Sequence, residues 1–186
     1  MNFKQLLEKL ESSEKFKAFK EANPDAPLVA GFFILDFKEG GSQEALDYKI
    51  KDQITTFTLR EDEFEEKQEQ ILDPTKPLEQ LNSEIKIDSD QLKDIVDLQI
   101  KKLEIKNPLE KIIAVLQQSN QGKGDLLPQG GTPEGAGENL ISHTIWNITA
   151  MCASLSMAII QIDAVSGEIL KSEKKNLFEF VKPVKK

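Results

Sequence analysis

This chain is poor in the residues that do chemistry. Its 186 residues include one cysteine (Cys152), one histidine (His143) and one arginine (Arg60). A lone cysteine rules out an intrachain disulfide. With one histidine and one cysteine, a structural zinc site would need two or more carboxylates, so no metal and no cofactor is expected. A single arginine leaves little of the planar, bidentate fork that grips phosphate and guanine, although a biased genome composition explains the same shortage. The 24 basic and 32 acidic residues give a net charge of −8, the wrong sign for displacing counterions from nucleic acid. Nor is there a clean apolar run. The longest, Ile145 to Ile162, carries Asn147, Thr149, Ser154, Ser156 and Gln161, which makes it a poor membrane span. The first residues form an amphipathic pattern without the apolar core and small-residue cleavage site of a secretion signal. A cytoplasmic location is expected.

What is present is strongly patterned. Phe3, Leu6, Leu7 and Leu10 share one helical face, with Asn2 and Gln5 spaced as a capping box. Phe16 and Phe19 would fall on the opposite side of that helix, and Ser12-Ser13 offers a new N-cap. The spacing therefore predicts a break and a second short helix to about Ala22, stopped by Asn23-Pro24-Asp25-Ala26-Pro27. Leu28 to Phe37 is apolar on both alternating faces, as a central strand is. Leu46, Tyr48 and Ile50 alternate with Asp47, Lys49 and Lys51, a strand with one wet face, and Ile54 to Leu59 returns the chain. Residues 61–88 are acidic, Gln-rich and broken by Pro74 and Pro77. They predict a linker, with an edge strand around Ile85 as an option.

Asp88 and Gln91 again fit a capping box, and Leu92, Ile95, Val96, Ile100 and Leu103 make a helical stripe ending before Pro108. Ile112 to Leu116 reads as a strand. A glycine-rich loop follows over Gly122–Gly137, then strands over Ile141 to Met151, Leu155 to Asp163 and from Glu168 onward, with Leu177 to Val181 as a last extended piece. Both halves thus run helix, apolar strand, glycine-bearing loop, strand, tight turn, strand. The expected fold class is α+β, an antiparallel sheet packed on helix in two units. Residues 1–60 would be one unit, 61–88 an acidic linker and 89–186 the other. One continuous sheet built from both halves is equally allowed.

The most telling stretch is Ile160-Gln161-Ile162-Asp163-Ala164-Val165-Ser166-Gly167-Glu168-Ile169-Leu170, preceded by Trp146-Asn147-Ile148-Thr149. Gly167 can supply the positive φ of a tight turn, and Asp163 can accept from the turn backbone. A tryptophan-led strand, then a strand ending in Ile-Asp-Ala, a short turn and Gly-Glu resembles the PepSY-like domains of peptidase propeptides. The match covers roughly residues 89–170, and the N-terminal half is similar in outline only. Tandem, leaderless and lysine-rich, the chain also resembles uncharacterised archaeal proteins of this kind. The resemblance implies a helix-plus-sheet fold that binds or restrains another protein, a protease above all. It also marks Trp146, Ile162, Asp163, Gly167 and Glu168 as signature positions, more structural than partner-reading.

Candidate chemistry is sparse. The Gly122–Gly137 segment lacks the lysine, Ser/Thr and following helix of a phosphate loop, so it reads as a hairpin loop. His143 has no nucleophile motif beside it, and a polar or solvent-facing strand position is the simpler reading. Cys152, between Met151 and Ala153, has no nearby cation and reads as a small core residue. Asp88, Asp90, Asp94 and Asp97 begin like a calcium loop, but the glycine and closing glutamate are missing. The cluster Glu61, Asp62, Glu63, Glu65 and Glu66 reads as a solvated face. Asn147-Ile148-Thr149 is a formal glycosylation triplet inside a predicted strand. Trp146 reads as half-buried packing in preference to a ligand platform. From Glu168 to Lys186, six lysines face three glutamates, a local charge of +3 that leaves −11 for the rest.

The sequence therefore points to a non-enzymatic PepSY-like module that docks another protein by sheet edge or concave sheet face. One alternative is an intracellular protease inhibitor that inserts the Gly122–Gly137 loop. Another is a small-ligand carrier with a helix-on-sheet pocket.

Overall fold

A computed structural model describes residues 1–71, 78–82, 84–119 and 143–176. The chain opens with α1 (Phe3–Ser12), in which Asn2 and Gln5 form the predicted capping box. Ser13 ends α1 and caps α2 (Glu14–Ala22), its side chain accepting from the Phe16 amide. Breaking the helix here swings Phe16 and Phe19 onto the side that is buried. Four strands follow: β1 (Leu28–Asp36), β2 (Ser42–Ile50), β3 (Gln53–Arg60) and β4 (Glu63–Gln70). A 3-10 turn over Ser89–Gln91 leads into α3 (Leu92–Lys102). The remaining strands are β5 (Leu109–Ser119), β6 (His143–Cys152), β7 (Ser156–Asp163) and β8 (Ile169–Asn176).

All eight strands form one antiparallel sheet in the order β4-β3-β2-β1-β5-β6-β7-β8. Of the two arrangements left open by the sequence, the continuous sheet is the one adopted. Its seam is the β1–β5 pair, with Phe33 opposite Ala114 and Gly31 opposite Leu116. Each strand next to the seam continues outward as a meander, so sequence neighbours are spatial neighbours apart from this one pairing.

Part of the expected linker is a strand. Residues 63–70 pair with β3 from Arg60/Glu63 to Gln53/Gln70, although only Phe64 in β4 is buried. An edge strand needs only one partner, so its own sequence carries no alternating pattern. Ile85, the option for an edge strand, lies in no strand and contributes to the core as a buried side chain. The Gly122–Gly137 loop and the Leu177 to Val181 piece lie outside the described residues.

The two faces of the sheet differ. One carries Phe33, Leu46, Phe57, Ile112, Ala114, Leu116, Trp146, Ile148 and Ile160, all in one buried cluster with Phe3, Leu6, Leu10, Phe16, Phe19, Leu92 and Val96 from the three helices. Phe16 and Phe19 lie with ring centroids 5.0–5.7 Å from Tyr48 and Phe57. Gly31 permits close approach on β1, since a Cβ there would stand 3.3 Å from the Phe3 ring and 3.2 Å from that of Phe33. Each large side chain buried this way contributes roughly 1.5–3 kcal/mol. The alternate residues Phe32, Ile34, Ile113, Val115, Thr149 and Ile159 point to the other face, are half-buried and stand outside that cluster. The registers set them in two adjacent rows across the middle of the sheet, Phe32 opposite Val115 in one, and Ile34, Ile113, Thr149 and Ile159 in the other.

Candidate functional site: the Asp163–Glu168 turn and its clamp

The signature residues meet at one place, where β6 and β7 come up beside the segment leading into α3. Trp146 is fully buried, its ring edge-on to Phe33 with centroids 5.5 Å apart. Its indole N–H donates to the Ile87 carbonyl at 2.8 Å. Ile162, also fully buried, is its cross-strand partner. The Ala164 amide donates to the Thr144 carbonyl, extending the β6–β7 ladder by one step, and the Ala164 carbonyl accepts from the amides of Lys86 (2.9 Å) and Ile87 (3.0 Å). Gly167 has φ +83°, and a Cβ there would lie 3.3 Å from Ile87 Cδ1. Trp146 and Ala164 thus hold one short stretch of backbone, Lys86-Ile87, and Gly167 leaves room for the Ile87 side chain.

Asp163 builds the turn itself. Its Oδ1 accepts from the amides of Val165 (2.9 Å) and Ser166 (2.7 Å), and its Oδ2 lies 2.7 Å from His143 Nδ1. Its backbone carbonyl accepts from Gly167 and its amide donates to the Glu168 carbonyl. Burial alone would raise the pKa of this carboxyl. The Ser166 amide, the His143 ring and the Val165 amide outweigh it and hold the group below its ordinary value. Glu168 donates its amide to Ser166 Oγ at 3.2 Å in an exposed position. His143 has the polar neighbour that the sequence anticipated, and that neighbour is Asp163.

The stretch held by the turn ends at Asp88, which does more than its capping box required. Within its own helix start, its carboxylate accepts from the Ser89 amide at 2.6 Å, and its amide donates to Gln91 Oε1 at 2.9 Å. The same carboxylate also accepts from the amides of Phe3 (2.7 Å) and Lys4 (3.3 Å). Those are first-turn donors of α1, which have no partner within the helix. With Asn2 taking the Gln5 amide at 2.9 Å, three successive amides at the start of α1 have acceptors. One nearly buried carboxylate therefore serves two helix starts, its own and one 85 residues away, where the positive ends of both helices favour an anion. Sequence spacing showed the local half of this and gave no sign of the distant half.

The remaining candidates fall elsewhere. Cys152 is buried, and burial, then the charges of Asp97 and Glu110, push its thiol up, away from the reactive thiolate. Asp97 pairs with Lys93 at 2.7 Å on the surface of α3. Among the described residues, no group of three or more His, Cys, Asp or Glu side chains is placed to hold a metal ion. Among these residues, too, no helix is long and apolar enough to cross a membrane. A cleft of about 460 Å³ lies at the α2–β1 corner between Asn23–Pro27 and Lys49–Lys51. Another of about 440 Å³ runs from Lys9 and Lys15 to Asp62 and Phe64. Both sit at the rim of the sheet.

No family model and no curated protein matches this chain. Its fold is similar to the crystal structure of a Clostridium difficile 630 protein named a "putative lipoprotein". The TM-score is 0.51 at 14% identity, over 87% of this chain and 91% of that one. A likeness at that identity is one of fold.

Proposed function

We propose that the chain is a non-enzymatic protein-docking module made of two PepSY-like units. Each would be a helix-covered antiparallel meander, and the units would be fused through β1 and β5. The observation that carries this reading is the half-buried patch of Phe32, Ile34, Ile113, Val115 and Ile159, which stands outside the core cluster. An apolar patch on β1, β5 and β7 is a docking surface for another protein. The signature turn supports the non-enzymatic part of the reading. Its one titratable pair, His143 and Asp163, is committed to holding the turn.

A cytoplasmic setting is part of the proposal and rests on composition alone. The lipoprotein name of the fold neighbour suggests a membrane-tethered setting as its rival, and cell fractionation decides between them.

The test is capture with mild crosslinking, comparing the natural chain with a Phe32→Lys, Val115→Lys variant. A protein retained by the first and lost by the second, with folding intact by circular dichroism, supports the reading. Retention by both contradicts it. A small molecule that co-purifies without any protein would favour a carrier. A captured protease that is released when the Gly122–Gly137 segment is shortened would favour an inhibitor.

A further inference from the structure

We propose that copies of this chain join head to tail, with β8 of one copy lying antiparallel against β4 of the next. Among the described residues, β4 and β8 are the two free edges of the sheet. Bare edges are templates for pairing, and proteins usually blunt them with charge. Here the two edges carry opposite charge. β4 reads Glu63-Phe64-Glu65-Glu66-Lys67-Gln68-Glu69-Gln70, and β8 reads Ile169-Leu170-Lys171-Ser172-Glu173-Lys174-Lys175-Asn176. Two β4 edges repel one another, as do two β8 edges, so a two-fold edge contact is disfavoured and a β4–β8 contact is favoured.

One register matches every charge of the two strands except Glu63. With Lys174 set opposite Glu66, Lys171 meets Glu69, Glu173 meets Lys67 and Lys175 meets Glu65. Ser172 then meets Gln68.

The backbone agrees with that register on three counts. With eight antiparallel strands, β4 and β8 run in opposite directions. A translated copy therefore continues the alternation and keeps its helices on the same side. Glu65 and Lys171 both lie in the row that passes through Phe32, by way of Thr58 and Ala45 on one side and Val115, Asn147 and Gln161 on the other. They therefore share a face.

The hydrogen-bonding groups also match. The Ile71 amide donates to the Asp52 carbonyl, and the Ala164 amide to that of Thr144. Following the ladders from these bonds, the odd-numbered residues of β4 and β8 bond inward. The even-numbered residues Phe64, Glu66 and Gln68, and Ser172, Lys174 and Asn176, turn their N–H and C=O groups outward. The register sets these outward residues opposite one another. The contact does not close on itself as a two-fold dimer does, so it yields rings or open chains. It stands apart from the docking reading, because it is read on the purified chain alone.

The experiment is sedimentation velocity on the full chain over a concentration series. It is run at low salt and again at about 1 M salt, where screening falls within roughly 3 Å. Two variants accompany it. One reverses β4 (Glu65→Lys, Glu66→Lys, Lys67→Glu, Glu69→Lys), and the other reverses β8 (Lys171→Glu, Glu173→Lys, Lys174→Glu, Lys175→Glu). The expected result is concentration-dependent assembly of the natural chain at low salt that dissolves at high salt. Each variant alone should remain at the single-chain mass of 20.9 kDa, and an equimolar mixture of the two should assemble again, since every pair is then restored. A natural chain that stays single at all concentrations overturns the proposal. So does assembly that survives in each variant, or a mixture that stays single. Should a fourfold variant lose its circular-dichroism signature, the pair Glu66→Lys and Lys174→Glu is read in the same way.

Discussion

The two halves of the sheet are held by different means. Over β2 and β3 the core is aromatic: Phe16, Phe19, Tyr48 and Phe57 form a cluster of rings. Burial pushes the Tyr48 phenol up, with a smaller contribution from the charge of Glu11. Over β6 and β7 the core is aliphatic around a single indole, and order comes from directed hydrogen bonds of the Asp163–Glu168 turn to Lys86 and Ile87. Ring packing is strong but tolerant of direction, whereas a hydrogen-bonded clamp specifies one position of the chain. The second half is the one whose chain is placed by directed hydrogen bonds.

That contrast can be broken from either side. The largest effect is expected from Phe57→Ala, which removes the ring touching both Phe16 and Phe19. It should cost about 4 kcal/mol in urea unfolding, as core aromatic truncations do. Asp88→Ala should cost about 2 kcal/mol, because it leaves amides of two helices without an acceptor. Amide exchange should then speed up at Phe3 and Lys4 as well as at Ser89, and a change confined to Ser89 would show that the bond to α1 carries no weight.

Gly167→Ala should cost about 1–2 kcal/mol, since φ +83° is a left-handed conformation that a Cβ disfavours. The smallest effect is on pH dependence. The folded pKa of Asp163 lies below its ordinary 3.8, so its contribution is complete above that value and drains away as pH falls through the folded value. Asp163→Asn should be the less stable protein at neutral pH. The gap to the natural chain, followed by thermal unfolding, should narrow as pH drops below about 4.

Much of this was legible from residue order, for local reasons. Asn2 with Gln5, Ser13, and Asp88 with Gln91 each announce a helix start because a cap is satisfied within three residues. Strand β1 reads as central because both its faces are apolar. Strand β4 was hidden because its neighbour imposes the pairing while six of its last residues stay exposed. The signature positions were visible as a turn, and Gly167 as its left-handed residue. What they grip, the backbone of Lys86 and Ile87, was not visible, because main-chain acceptors leave no mark on the sequence. The same holds for the reach of Asp88 to α1.

Two differently built halves share one sheet and one core, and they should therefore unfold together. The chain contains one tyrosine, Tyr48, in the first half and one tryptophan, Trp146, in the second. Fluorine labels on these two rings, followed by NMR through one urea titration, report on each half separately. Coincident midpoints and slopes are expected at Tyr48 and Trp146. A Tyr48 transition clearly separated from that of Trp146 would contradict it and would make the halves independent domains.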